Sequence, residues 1–432
     1  MQTNPKKTER AISIQILNEI TEEGAYANIA LRKTLQEETH LEPRSRAFIT
    51  ELVNETLRNL LLIDHIINAF SKNPVEKMKP FIKNLLRISV CQIRLMEKIP
   101  DRAAVNEAVI LAKAYGFTNL SGFVNGILRN ISREPEKPVI PESNSAKNIA
   151  LKYSYPKWVV KNLIRWLGED LTLEFCKNSH NPPPVTVHIN TLKTNAEKLT
   201  TELEQDGIEV KPLNPPFLAL KNTGDMSQIK AFKKGHFFVM DPGAYLAVEA
   251  LEIKPNQTLI DLCAAPGGKS FAAACQMENM GKILAYDLHE HRKELIRQTS
   301  RKLGFSILES AEKDALIYDE KLNSSADVVL LDAPCSGFGT IRKHPEIKYT
   351  RTRADIFDLA EKQGKMLENA AMYVKTGGRL VYSTCTVTKE ENIDNIELFL
   401  EKHKNFKLEK TIQTLPSSNS DGFFAATLVK QI

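Results

Sequence analysis

The spacing of apolar residues changes character twice along the chain. From residue 8 to about 133, apolar positions recur at helical intervals, as in "ERAISIQILNEI", "FIKNLLRISVCQIRLM" and "AAVNEAVILAKAYG". Gly116 can close the last of these helices. The pattern predicts an all-α domain over residues 1–133. Residues 134–147, "EPEKPVIPESNSAK", concentrate Pro, Ser and Glu without a period and read as a linker. Residues 148–235 mix periods: a helix in "PKWVVKNLIRWLG", a strand in "VTVHINT", a helix in "NAEKLTTELEQDG", then strands in "IEVKPL" and "FLALK". That β-α-β-β order predicts a small α+β domain of the ferredoxin-like type.

From residue 236 to 432 strands and helices alternate. Strand candidates are "TLIDLC", "KILAYD", "SILES", "DVVLLDAP", "RLVYSTC" and "GFFAATLVK"; helical patterns such as "ADIFDLAEKQGKMLENAAMYV" separate most of them. Such alternation predicts an α/β fold with a doubly wound, mostly parallel sheet covered on both faces.

Composition narrows the class. Hydrophobic residues make up 42% and charged residues 26% of 432 positions, which suits a globular protein of two or three domains. No run of apolar residues reaches membrane-spanning length, and the basic start "MQTNPKKTERAISIQIL" lacks a secretory core. Six cysteines, at 91, 176, 263, 275, 335 and 385, show no CxxC or disulfide-framework spacing. We therefore expect a reducing, cytoplasmic setting with free thiols. The nine histidines are scattered, and no metal-ligand cluster is expected. The net charge of +5 is uneven: residues 1–133 hold 19 Lys+Arg against 14 Asp+Glu, whereas the remainder is balanced. A basic helical domain suits an anionic partner such as RNA, and equally a solvated helical surface.

Candidate chemistry lies at strand ends. "TLIDLCAAPGGKS", residues 258–270, joins a strand to a helix, and Gly267 and Gly268 let backbone approach a ligand. Gly268-Lys269-Ser270 imitates the end of a Walker A loop, but that motif needs Gly five places earlier, where Cys263 stands. A nucleoside-containing cofactor fits better. Asp287 ends the next strand, 19 residues past Gly268, where an acidic residue takes ribose hydroxyls in doubly wound folds. Asp314 follows the third strand and Asp332 ends the fourth, so with Asp261 four aspartates share one rim. Two apolar strands run straight into cysteines, "VVLLDAPCSG" at Cys335 and "GGRLVYSTCTVT" at Cys385. Either thiol alone could be inert packing. Consecutive strands are usually neighbours, so the two together suggest one pocket. Cys91, Cys176 and Cys275 fall in helical patterns and are expected in the core, and Cys263 is read as packing within the glycine loop.

"DLCAAPGGKS", "DAPCSG" and "STCT" resemble the cofactor loop and two cysteine motifs of the RNA cytosine-5 methyltransferases. "GTIRKHPEIK" after Cys335 is most similar to the bacterial 16S rRNA branch, the RsmB/Sun (Fmu) type. "AAVNEAVILAKAYG" and "GFVNGILRN" resemble the NusB-like RNA-binding domain of that branch; "MDPGAYLAVEAL" and "DGFFAATL" also fit. The resemblance covers nearly the whole chain. It implies a Rossmann-like methyltransferase domain over 236–432, a small RNA-positioning domain over 148–235 and a NusB-like domain over 1–133. It implies transfer of a methyl group from S-adenosyl-L-methionine to carbon 5 of a cytosine in 16S rRNA. Residues Cys263, Ala264, Ala265, Pro266, Gly267, Gly268 and Lys269 would line the cofactor, with Asp287 on its ribose, Asp314 near its adenine and Asp332 near the reacting base. Cys385 would be the nucleophile and Cys335 the residue that helps release product. Alternatives are a tRNA or 23S rRNA substrate, or a non-catalytic RNA-binding or transcription factor.

Two thiols suit this chemistry. Carbon 5 of cytosine is a poor nucleophile until a thiolate adds at carbon 6. A hydrogen bond at N3, which Asp332 could supply if protonated, should assist. The cytosine must be single-stranded or extruded from a duplex. "IRKHPEIKYTRTR" places Arg342, Lys343, Lys348, Arg351 and Arg353 where they could hold phosphates. Met240 stands where Gln is expected, and His188-Ile189-Asn190 where Arg-Val-Asn is more usual. We expect a monomer with no membrane partner.

Overall fold

The computed structural model describes residues 4–140 and 142–431; Pro141, in the linker, lies outside the described residues. The chain forms two compact units. One runs through His180 and takes in Ile341–Thr350; the other holds Asn181–Thr340 and Arg351–Ile432.

The first unit is helical. Seven α-helices run from Glu9–Thr21 to Ser121–Arg133. Their ends follow local rules: Thr8 accepts from the Ala11 N–H at the first, and prolines open Pro43–Arg58 and Pro80–Arg94. Gly116, at φ +84°, follows the Asp101–Ala114 helix in the left-handed region that glycine permits. The apolar stripes meet in one core in which Leu17, Ile49, Leu52 and Leu86 are fully buried. Each such side chain contributes about 1.5–3 kcal/mol. Within this core Arg87 grips Asp64 through two hydrogen bonds of 2.8 and 2.7 Å. Three further helices, Ala146–Lys152, Lys157–Leu167 and Glu169–His180, also belong to this unit.

Ile341–Thr350 closes the unit and corrects one expectation. Arg342 and Lys348 are 2% and 1% exposed, so neither is placed to hold a phosphate. Lys348 Nζ donates to the Arg58 and Tyr153 carbonyls at 2.7 and 3.2 Å and lies 4.7 Å from the Tyr155 ring centre. Burial, with Arg58 nearby, pulls its ammonium well below the usual lysine range. Lys343 and Arg351 are half-buried and Arg353 is exposed.

The second unit contains two sheets. Strands β1 (Val185–Ile189), β2 (Glu209–Pro212), β3 (Phe217–Lys221) and β4 (Phe237–Val239) form an antiparallel sheet of order β2-β3-β1-β4. The helix Ala196–Gln205 buries Leu199 and Leu203 against Val187, Leu218 and Phe237. This is the small ferredoxin-like domain. Three-residue β4 was not foreseen, because "FFV" is too short to show a period.

The larger sheet has seven strands: β5 (Thr258–Asp261), β6 (Lys282–Asp287), β7 (Leu308–Glu312), β8 (Ala326–Asp332), β9 (Val374–Thr384), β10 (Phe406–Gln413) and β11 (Phe424–Lys430). Their order is β10-β11-β9-β8-β5-β6-β7. β5 to β9 are parallel, and β11 pairs antiparallel with both β9 and β10. The central strands read as unbroken apolar runs because both faces are covered. β10 escaped sequence reading: "FKLEKTIQ" alternates charged residues on an exposed edge. The chain leaves β5 toward β6 and β7, then returns to β8 on β5's other side. Ligands of doubly wound sheets collect at such a reversal, at the carboxyl ends of the strands.

Candidate active site

Asp261 ends β5 and Asp332 ends β8, the two strands flanking that reversal. Two cavities open there. One, of about 340 Å³, is lined by Asp287, Asp314, Asp332, Cys335 and Cys385 among others. The other, of about 150 Å³, is lined by Asp261, Met240 and the loop from Cys263 to Lys269 except Gly267. Cys263, Ala265 and Asp332 line both. A larger space of about 740 Å³, between the β2–β3 turn, the helix Pro242–Leu251 and residues 414–420, holds none of these aspartates or thiols.

The two glycines of the loop do different work. Gly267 sits at φ +108°, and a Cβ there would meet the Phe271 ring at 2.3 Å. A Cβ at Gly268 would meet nothing nearer than Met240 Cγ at 4.0 Å, so the space beside it is open to a ligand. Lys269 and Ser270 are engaged by the protein itself. Lys269 Nζ lies 2.6 Å from Asp332 Oδ2, and Ser270 Oγ donates to Asp261 Oδ2 at 2.6 Å.

Electrostatics distinguish the carboxylates. Asp261 is 1% exposed, and its Oδ1 is buried without a hydrogen-bond partner. Burial pushes its carboxyl up to about 7, and the Asp332 charge adds to this while Ser270 and Lys269 oppose it. Asp287 is buried and takes the N–H groups of Ala265 and His289, one on each oxygen, at 3.2 Å. Asp314 accepts from the Leu316 N–H at 2.8 Å. Asp332 takes Lys269 on one oxygen and Ser383 Oγ, at 2.7 Å, on the other. Burial would lower the Lys269 ammonium, but the adjoining Asp332 charge outweighs it and the net shift is upward. Asp332 accepts from Lys269 Nζ and from Ser383 Oγ.

Both thiols stand at neighbouring strand ends. β8 and β9 are parallel partners with Asp332 opposite Ser383, and the chain then reaches Cys335 and Cys385. Their Sγ atoms are 3.1 Å apart, and the Cys385 N–H points to Cys335 Sγ at 3.2 Å. The hydrogen bond between the two thiols, then burial, hold the Cys335 thiol well above its ordinary value. Cys91 and Cys176, by contrast, are fully buried in the helical unit, and burial pushes both thiols up to about 12.

Sequence and fold both match known proteins. The model of the 16S rRNA methyltransferase RsmB/F family matches residues 248–429, that of the NusB family residues 7–133, and that of the RsmF/B ferredoxin-like domain residues 155–227. The probable ribosomal RNA small subunit methyltransferase B of Bacillus subtilis is 36% identical, covering 99% of this chain and 100% of its own. The chain belongs to the RsmB/F methyltransferase family. Its counterpart in Synechocystis is 32% identical over 98% of this chain and 99% of that protein. The crystal structure of PH0851 superposes over the whole of both chains, with a TM-score of 0.82 and 29% identity.

The methyl donor of RsmB/F methyltransferases is S-adenosyl-L-methionine. The residues here fit that group on two observations: the partnerless Asp261 Oδ1 suits an ammonium, and the open face of Gly268 leaves room for a ligand. Sequence reading placed Asp261 on the rim without a role, although it stands inside the loop motif. It also missed Ser383, His289, Arg292 and Lys313, which only the fold brings to the rim. The two departures from the family pattern differ in place. Met240 lines the smaller cavity. His188 is 1% exposed among Phe217, Phe238 and Tyr245, and burial lowers its imidazole to about 4, so it is a neutral packing residue. Among the described residues no helix is long and apolar enough to cross a membrane, and no cluster of His, Cys, Asp and Glu is arranged to hold a metal.

Proposed function

We propose that this chain methylates carbon 5 of a cytosine in 16S rRNA through a covalent adduct on Cys385. The observation that carries the reading is the pair of thiols 3.1 Å apart beside the Lys269–Asp332 ion pair. A packing role has no use for two thiols at one ligand rim. S-adenosyl-L-methionine supplies an electrophilic methyl group when bound. Cys263 to Lys269, Asp261, Asp287 and Asp314 would hold it.

Cys385 as thiolate adds to carbon 6 of the cytosine, forming an S–C bond and leaving carbon 5 nucleophilic. Asp332 accepts a hydrogen bond from the exocyclic amino group, and Lys269 presents an N–H to N3. Carbon 5 takes the methyl group. A base then removes the proton on carbon 5, the S–C bond breaks, and its electrons return to Cys385. Cys335, in contact with Cys385, assists that release. The helical segment 1–133 and the ferredoxin-like segment 148–235 position the RNA, which enters single-stranded or with the cytosine extruded. Lys343, Arg351 and Arg353 remain candidates for phosphate contact. We place the protein in the cytoplasm as a monomer.

Methyl transfer to unmodified 16S rRNA tests this. Cys385→Ala should abolish transfer. Cys335→Ala should accumulate a protein–RNA adduct that survives denaturing gels. Full activity of Cys385→Ala would refute the mechanism.

A further inference from the structure

Glu391 is 0% exposed and belongs to neither cavity. Its Oε1 accepts from the Ser336 N–H at 2.8 Å and from Gln363 Nε2 at 3.0 Å. Its Oε2 accepts from Thr388 Oγ1 at 2.7 Å and from Ser336 Oγ. Four donors and no acceptor surround it, as an ionised carboxylate requires. Such a buried charge is tolerated only when it is hydrogen-bonded this fully.

The donors come from three separate elements. Ser336 follows Cys335 directly. Thr388 lies three residues past Cys385. Gln363 lies on the helix Arg353–Tyr373 and also donates to the Pro334 carbonyl at 2.9 Å. A second contact runs parallel to these: Ser336 Oγ and Thr386 Oγ1 are 2.8 Å apart. The strand that delivers Cys385 joins the same node, because Tyr382 OH donates to the Glu391 carbonyl at 2.6 Å. One carboxylate thus binds the loop carrying each thiol. Its charge also acts, with those of Cys385 and Asp332, against ionisation of Cys335.

We propose that Glu391 is a positioning residue of the two-thiol centre: its side chain fixes the spacing of Cys335 and Cys385, and its charge keeps Cys335 a thiol while Cys385 attacks. The inference rests on the cytosine methylation reading above. Its test separates spacing from charge. Glu391→Gln keeps the size, and the Ser336 and Thr388 hydroxyls can turn to accept from its amide. Glu391→Ala removes both anchor and charge.

Single-turnover transfer and S-adenosyl-L-methionine affinity are measured for both variants, beside wild type and Cys335→Ala. The pH dependence of Cys335 alkylation by iodoacetamide is followed by peptide mass spectrometry in a Cys385→Ala background without RNA. Glu391→Ala should slow transfer at least about tenfold, hold cofactor Kd within about twofold and accumulate the denaturation-resistant adduct. Glu391→Gln should transfer faster than Glu391→Ala and shift Cys335 alkylation to lower pH, raising its rate at pH 7.5 about tenfold for each pKa unit lost. A residue that merely supports the fold would lower Tm without moving that profile. An unshifted alkylation profile in Glu391→Gln, or a folded Glu391→Ala with wild-type transfer, overturns the proposal. If Glu391→Ala fails to fold, Glu391→Gln alone decides. Absence of product and adduct from wild type and Cys335→Ala would instead count against cytosine methylation, and the RNA-free alkylation result would stand apart from it.

Discussion

Asp261→Asn removes a buried charge from the cofactor rim at almost constant volume, and the consequences for stability and binding have opposite signs. The carboxyl of Asp261 titrates near 7 in the folded protein. An unfolded aspartate titrates near 3.9. Because the folded value is raised, the fold is favoured while Asp261 is protonated and loses stability as pH rises from about 4 to about 7. With one pKa unit equal to about 1.4 kcal/mol, the penalty is about 1.5 kcal/mol at pH 5 and about 4 kcal/mol at pH 8. Asn carries no such penalty. Its amide N–H₂, facing the position where Oδ1 has no partner, costs about 1–3 kcal/mol at every pH. That constant cancels between two pH values. The stability of Asp261→Asn minus that of wild type should therefore rise by about 2–3 kcal/mol from pH 5 to pH 8.

Calorimetry of the cofactor-free protein, following the transition of the unit that contains Asp261, reads this difference. Binding runs the other way. An ammonium needs Asp261 ionised, so cofactor affinity of the wild type should weaken below pH 7, toward tenfold per pH unit, with proton uptake by the protein opposing the ligand. Asp261→Asn should bind more weakly at pH 8 and lose that pH dependence. Titration calorimetry in buffers of differing ionisation enthalpy counts the proton released. A pH-independent stability difference, or unchanged cofactor affinity in Asp261→Asn, would refute both the buried-charge account and the assignment of an ammonium to this carboxylate.

Two further outcomes follow from the geometry. Gly267→Ala should destabilise the methyltransferase unit, because φ +108° and Phe271 both reject a Cβ, whereas Gly268→Ala should leave Tm nearly unchanged and weaken the cofactor; equal effects in a thermal shift assay with and without ligand would contradict the division. Combined Ala substitution of Lys343, Arg351 and Arg353 should weaken RNA binding and flatten its salt dependence, while Lys348→Met, which replaces a buried ammonium by an apolar chain, should leave the salt slope unchanged; a flattened slope in Lys348→Met alone would put the phosphate contact back on that lysine.

Sequence reading succeeded where a local rule fixes the structure. Period-3.6 stripes located the helices, apolar runs located the buried parallel strands, and strand ends located the aspartates and both thiols. It failed where burial, rather than residue type, decides. Lys348 and Glu391 look like solvated charges in "RKHPEIK" and "KEEN", yet each is at most 1% exposed. Asp332 gains a partner that spacing does not show: Lys269, distant by 63 positions, lies at 2.6 Å. Residues 389–392 form a turn, and the following helix runs Ile393–Lys402. Polar residues of this kind acquire their roles from tertiary partners that no local spacing encodes.

The distribution of those partners bears on how a cofactor would lie. Glu391 accepts from four neutral donors, and Asp332 from a lysine and a serine. Asp287 takes two backbone N–H groups and keeps lone pairs that neutral hydroxyls can use. Asp261 alone combines full burial, a partnerless oxygen and a raised carboxyl. A cation is worth most where charge is least compensated, so under the proposed function the amino-acid end of S-adenosyl-L-methionine would be held at Asp261, in the smaller cavity. The nucleoside end would then be held by Asp287 and Asp314, which line the larger one. The residues common to both cavities are Cys263, Ala265 and Asp332. A cofactor held at both ends would supply its methyl group beside these shared residues, where Asp332 meets Lys269, on the rim that Cys385 also lines. Reversing the cofactor would set an uncharged adenine against the one uncompensated carboxylate and a charged ammonium among oxygens already supplied with donors. Asp261→Asn and Asp287→Asn should accordingly differ with S-adenosylhomocysteine and adenosine as probes: the first weakens only the ligand that carries the amino group, and the second weakens both.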